Sequence, residues 1–251
     1  MKNLTCNEFE ASASLRDTEY FGIPSAKVRL KRPCMHHDLQ SKLLEFMCDF
    51  EFITIINEGN DQHNNQWLGE STKAFLTDVN LQLCKNAIVE AYNDTGNAII
   101  TEKCPKDDQI ISIAKTSFSF SRFINDPYLP KESAAGVYAD IVKNSFGKSG
   151  WYFVSIKDID IIVGFLLFSV DETTSTSTIK LIATANGYHG RGFGNAMINK
   201  MEIYVAQHGI QKIRVGTQAN NLNATQFYIN HGFTCVKVNS IYHYWPLRPK
   251  S

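Results

Sequence analysis

Between an extended stretch, Ile179 to Thr184, and a helical pattern running from Gly194 to about His208 lies the run Tyr188-His189-Gly190-Arg191-Gly192-Phe193-Gly194. A strand that feeds a glycine-rich turn and then opens a helix restricts this chain more than any other feature. The glycines let the backbone approach a ligand closely. The helix N-terminus adds unpaired N–H groups and a partial positive charge. Together they suit a phosphate. The dipole contributes only about 0.3–1 kcal/mol, so converging amides must supply most of the binding. The spacing is not the Gly-x-x-x-x-Gly-Lys-Ser/Thr of a P-loop. Nor is it the dinucleotide fingerprint Gly-x-Gly-x-x-Gly, because position 197 is Met.

A length of 251 residues allows one large domain or two small ones. The 25 basic and 25 acidic residues balance, which removes the electrostatic case for nucleic acid or an anionic membrane. Apolar runs stay short of the roughly 18 residues of a membrane span. The start, Met1 to Cys6, lacks the apolar stretch of a signal peptide. Six cysteines are scattered without a Cys-x-x-Cys pair and read as free thiols, which points to the cytoplasm. Cys34, His36 and His37 read as a surface loop, and no metal is expected.

Pattern divides the chain at about residue 95. In residues 1–95, a turn at Phe21-Gly22-Ile23-Pro24 precedes an extended run from Ala26 to Leu30. A helix is expected over Asp38 to Met47, a strand over Phe50 to Ile56, a loop over Glu58 to Asn65 and a strand over Phe75 to Leu83. Residues 96–251 read as β, α, α, β, β, β, glycine turn, α, β, α, β, β, the last two being a pair over Phe233 to Val238 and Ser240 to Trp245. No internal repeat is visible. The fold class is therefore α/β (α+β): a small mixed N-terminal domain, then a mixed, mostly antiparallel sheet flanked by helices.

Two segments carry a family resemblance. His189, Gly192 and Gly194 resemble the glycine signature of the GNAT superfamily of acyl-CoA-dependent N-acyltransferases, with His where that family usually has Gln or Arg. Asn221, Ala224, Tyr228, Gly232 and Phe233 resemble its second signature. Residues Glu19 to Ala26, Ser121-Arg122-Phe123, Val215 to Gln218 and Ile241 to Trp245 are similar to the TDP-fucosamine acetyltransferases within it. Those enzymes join a small N-terminal α/β domain to a GNAT domain with a splayed sheet. They N-acylate a dTDP-linked amino-dideoxy sugar for O-antigen or other surface polysaccharides.

The resemblance implies acyl-CoA as co-substrate, carrying acetyl or a longer acyl such as 3-hydroxybutyryl. Its pyrophosphate would lie on the amides of His189, Gly190, Arg191, Gly192, Phe193 and Gly194. Its pantetheine would lie along Ile182, Ala183 and Thr184, with Asn221 beside it. Tyr228 would be the general acid that protonates the leaving thiolate. A phenol suits this task, because its pKa near 10 is comparable to that of a thiol. The acceptor would be the amine of a dTDP-linked 3- or 4-amino-dideoxyhexose. Arg122 suits its diphosphate, and Phe123 and Tyr128 its sugar or base. No Asp or Glu lies between Ile179 and Thr184, which leaves Asp126 and His189 as guesses for a base. The resemblance also implies a homodimer. Two other readings stay open: a GNAT acting on another small amine or a protein N-terminus, and a non-catalytic CoA-binding GNAT domain.

Overall fold

The computed structural model describes residues 2–87 and 96–247. The division at residue 95 falls at the edge of 88–95 and lies outside the described residues. The elements run β1 (Asn3–Thr5), β2 (Phe9–Ala13), α1 (Leu15–Phe21), β3 (Ser25–Leu30), α2 (His37–Met47), β4 (Phe52–Asn57), α3 (Gln62–Ser71) and β5 (Phe75–Asn86). They continue with β6 (Ile99–Glu102), α4 (Asp108–Ser117), α5 (Lys131–Lys143), β7 (Trp151–Asp158), β8 (Ile161–Asp171), β9 (Thr176–Thr184), α6 (Phe193–Gln207), β10 (Lys212–Gln218), α7 (Leu222–Asn230) and β11 (Thr234–Tyr244).

All the described strands form one sheet, in the order β1-β2-β3-β4-β11-β5-β10-β9-β8-β7-β6. Only β3–β4 and β9–β10 pair parallel; the other neighbours are antiparallel. Each parallel pair needs a crossover, and α2 and α6 supply them. Helices α6 and α7 pack on one face through Met197, Met201, Tyr228, Val215 and Leu83. Helices α4 and α5 pack on the other through Ile110, Ile113, Val142, Leu181 and Ala183. Strand β8 is apolar almost throughout because both its faces are buried.

The order hides a repeat that the sequence does not show. The units β3–α2–β4–α3–β5 and β9–α6–β10–α7–β11 have the same sequence of elements and the same pairing. Each begins with a parallel pair crossed by a helix, and each sends its last strand into the other unit. Strand β5 pairs with β10, β11 pairs with β4, and β5 and β11 pair with each other at the centre. Dissimilar residues fill equivalent places, so no letter-by-letter repeat survives.

Several expectations need correction. Residues 58–65 are not a loop: a 3-10 turn at Glu58–Asn60 leads into α3. That helix is polar over most of its surface. Its signals are the Asp61 cap, which accepts from Asn64 N–H at 2.9 Å, and the buried Trp67 and Leu68. The final pair is one strand, β11, kinked by register shifts at Cys235/Lys237 and Ile241/Tyr242. It can run straight through because its partners, β5 and β4, come from the earlier part of the chain. Cys34 is not on a surface loop but 2 % exposed in the core of the first unit, and burial raises its thiol pKa to about 11. His36 and His37 are exposed. No helix among the described residues is long and apolar enough to cross a membrane.

Candidate active site

Strands β9 and β10 start side by side and then part. Their register runs from Lys212↔Thr176 to Val215↔Ile179 and stops there, although β9 continues to Thr184 and β10 to Gln218. At the parting, Lys180 is an extra residue against β8: Leu167 pairs with Leu181 and Phe168 with Ile179. The equivalent strands β3 and β4 stay paired over their full length, to Leu30↔Asn57. The connection after β3, Lys31 to His36, contains no glycine. Only the second unit therefore has both an opening and a glycine turn.

The turn closes over the opening. Gly190 and Gly192 take φ of 74° and 83°, values that disfavour any side chain. Gly192 caps α6, and the first helical bond there is Ala196 N–H to Gly192 C=O at 3.1 Å. The N–H groups of Phe193, Gly194 and Asn195 thus precede the helical ladder, as an anion cradle requires. His189 Nδ1 lies 2.8 Å from Thr184 Oγ1 and ties the turn to the end of β9. Arg191 turns outward, 3.4 Å from Asp158 and over the rings of Tyr188 and Phe193.

A cavity of about 460 Å³ occupies the opening, lined by Ile182, Ala183, Thr184, His189, Gly190, Gly192, Phe193 and Gly194. A smaller one of about 120 Å³ lies toward α4 and α5, lined by Gly216 and Gln218 of β10, Tyr138 of α5 and Asn221. Ser117, Ile182, Ala224 and Tyr228 line both. Tyr228 is 4 % exposed, and burial pushes its phenol pKa well up. The group therefore holds its proton more firmly than a free tyrosine. Asn221 accepts from Ala224 N–H at 3.1 Å and so caps α7. It faces the smaller cavity and does not line the larger one.

The other expected residues lie apart from these cavities. Phe123 is 2 % exposed in a core with Phe21, Phe52, Leu129, Ala134 and Val137. Its ring carries the Arg122 guanidinium, 4.2 Å from the centroid. Tyr128 is 40 % exposed, with its ring 5.9 Å from those of Phe75 and Trp245. Asp126 is engaged with His243 Nδ1 at 2.7 Å, Trp245 Nε1 at 3.0 Å and Tyr128 N–H at 2.8 Å. With those bonds made in the interior, it is a structural carboxylate.

Sequence reasoning passed over Ser117, Asn195, Asn223 and Phe227, all of which line the larger cavity. Asn195 and Asn223 adjoin the two signatures and were within reach of the pattern. Ser117, at the end of α4, has no local signal. It was also silent on Asp78 of β5, 9 % exposed on the α4–α5 side of the sheet. Burial raises the Asp78 pKa to about 6, against the lowering pull of Arg122. A carboxyl whose folded pKa exceeds its unfolded value binds more protons when folded, so stability falls as pH rises from about 4 to about 6. Asp78→Asn is therefore expected to exceed wild type by about 1–3 kcal/mol at about pH 8 and to equal it near pH 3.5. Urea unfolding at the two pH values checks this, and an equal difference at both would contradict it.

Residues 109–233 match the profile of the acetyltransferase (GNAT) family. Parallel strands splayed beneath a glycine turn, with a buried tyrosine between two cavities, are the setting of that match. The chain belongs to the GNAT acetyltransferase family. Over 144 residues it is 26 % identical to the spore coat polysaccharide biosynthesis protein SpsD of Bacillus subtilis, a match spanning 55 % of this chain and 47 % of that protein. The chain thus aligns with about half the length of this relative. Its fold is similar to a GCN5-related N-acetyltransferase from Sphaerobacter thermophilus (TM-score 0.66, 12 % identity, 97 % of this chain and 78 % of the other). It is also similar to a tandem GNAT protein from the clavulanic acid biosynthesis pathway (TM-score 0.60, 10 % identity, 92 % and 77 %).

Proposed function

We propose that this chain is an N-acyltransferase that moves an acyl group from acyl-CoA to the amine of a dTDP-linked 3- or 4-amino-dideoxyhexose. The observation that carries the reading is Tyr228, a buried phenol lining both a glycine-turn cavity and a second cavity on the acceptor side. The sugar acceptor draws on the TDP-fucosamine acetyltransferase resemblance. The name of the B. subtilis relative, a polysaccharide biosynthesis protein, supports the same direction.

In this reading the amides of residues 190–194 receive the pyrophosphate of coenzyme A. The edge of β9 beyond Ile179 offers the pantetheine its backbone groups. A backbone N–H near the Lys180 bulge stabilises charge on the thioester oxygen. The sugar nitrogen bonds to the acyl carbon, the carbon–sulfur bond breaks, and Tyr228 gives its proton to the sulfur. The nitrogen releases its own proton to water. Arg122 meets the acceptor's diphosphate, and Tyr128 borders the entrance. The enzyme works in the cytoplasm, to which its scattered cysteines point, and as a homodimer, which the family resemblance implies.

Thiol release from acetyl-CoA and 3-hydroxybutyryl-CoA tests the proposal with dTDP-3-amino and dTDP-4-amino-dideoxyhexoses, small amines and a peptide amine. Turnover confined to the sugar nucleotides is expected. Turnover of the peptide or small amines alone would move the acceptor elsewhere in the family. Coenzyme A binding with no amine turned over would make the domain a CoA-binding module.

A further inference from the structure

A polar seam lies where the two strand–helix units meet, on the α4–α5 side of the sheet. Lys27, Thr54 and His243 form one row across β3, β4 and β11, through the pairings Lys27↔Thr54 and His243↔Thr54. Their strand neighbours Val28, Ile53, Ile55 and Tyr242 pack into the core of the first unit, so alternation turns the row the other way. The loop after α4 covers it. The Phe123 ring lies 5.9 Å from that of His243, and Arg122 lies on Phe123.

Among the described residues, the buried side-chain N and O atoms without a hydrogen-bond partner are Thr54 Oγ1, Arg122 Nε and His243 Nε2. All three belong to this one patch. Buried polar atoms are seldom left unpaired, and three together mark a place built for something else.

The charges around the patch favour an anion. Asp17 is held by Arg16 and Ser14, Arg29 by Glu58, and Asp126 by His243 and Trp245. Arg122 and Lys27 have no ion-pair partner among the described residues. Asp78 is the one remaining carboxylate whose charge Arg122 senses besides Asp17. Burial and then the charge of Arg122 lower the Lys27 pKa. Lys27 is nonetheless exposed and reachable from solvent.

We infer that Arg122 and Lys27 together hold the diphosphate of a nucleoside diphosphate acceptor, over a polar floor of Thr54 and His243. The inference rests on the sugar-nucleotide reading above and deepens it. From the β9–β10 opening, β10, β5 and β11 lead to His243, roughly 10–12 Å away at the spacing of strands, and β4 and β3 lead on to Lys27, roughly 20 Å away. One sugar ring and a diphosphate cover the nearer distance, leaving the amine beside Tyr228, and the long stem of Lys27 spans part of the remainder. The first unit, which has no opening of its own, thereby contributes Lys27 to the acceptor.

Calorimetric titration of the full chain, with coenzyme A saturating the glycine turn, tests this with dTDP, inorganic pyrophosphate and thymidine. The dTDP and pyrophosphate are expected to bind, and thymidine far more weakly. Lys27→Met and Arg122→Met are each expected to weaken dTDP by about 10-fold or more. Lys27 is exposed, so Lys27→Met should keep the wild-type Tm and coenzyme A affinity. No binding of dTDP by wild type, or unchanged dTDP affinity in Lys27→Met, overturns the inference. Thiol release separates the two readings. Acylation of other amines without dTDP binding leaves the acyltransferase standing and removes the seam. Binding of dTDP that Lys27→Met weakens, without acyl transfer, keeps the seam and removes the transferase.

Discussion

Tyr228→Phe is expected to lower kcat for acyl transfer by about 10²–10⁴-fold while leaving coenzyme A affinity close to wild type. The substitution removes one hydroxyl and keeps the ring. That ring packs edge-on against Phe227 and Phe233, each 5.5 Å away, so the variant should fold normally. In the proposed mechanism the lost atom is the proton donor for the departing sulfur, and the glycine turn assigned to the pyrophosphate is untouched. Burial also makes a statement about pH. A phenol pushed above its usual range stays protonated through neutrality. The wild-type rate should therefore show no alkaline decline due to Tyr228 below about pH 10. Steady-state kinetics and a pH profile on both proteins decide it. A variant that keeps most of its kcat would take Tyr228 out of the chemistry and leave the fold assignment intact.

Lys85→Met should cost about 3–5 kcal/mol of stability, enough to threaten folding at growth temperature. Lys85 lies on β5, the strand that the first unit lends to the second. Its ammonium is 2.8 Å from Glu202 Oε1 on α6 and 2.7 Å from the His231 carbonyl that follows α7. The Glu202 side chain is 1 % exposed and that of Lys85 13 %. Removing the cation leaves a buried carboxylate without its ion-pair partner, which is far worse than never having built the pair. The double variant Lys85→Met/Glu202→Gln should recover much of the loss. Urea unfolding of the single and double variants measures the coupling. Single-variant losses below about 1 kcal/mol would mean that β5 is held by its strand pairing alone.

What could be read in advance was local. The glycine turn and the Asn221–Phe233 run each need only a dozen consecutive residues, and both fall where the larger cavity and Tyr228 lie. Most strands and helices of the second half followed from alternation and apolar spacing, as with Ile110, Ile113 and Ala114 of α4. What escaped was long-range. Nothing near Phe75 to Asn86 says that this strand will sit between β10 and β11, more than a hundred residues onward. The same exchange turned an expected terminal hairpin into the single strand β11. Helix α3 was lost because its buried face is narrow, Asn64, Trp67 and Leu68 among polar neighbours. Phe123 illustrates the opposite failure. As a letter beside Arg122 it suits a stacking surface, but as a side chain it is core and supports the guanidinium from below.

The most direct test of the central claim is the mass spectrum of a dTDP-amino-dideoxyhexose after incubation with the protein and acetyl-CoA. The account predicts a product heavier by one acetyl group, with the acetyl on the sugar nitrogen and one free thiol released per acetyl transferred. An unmodified sugar nucleotide, recovered while the protein acetylates a small amine or a peptide in the same mixture, would contradict it.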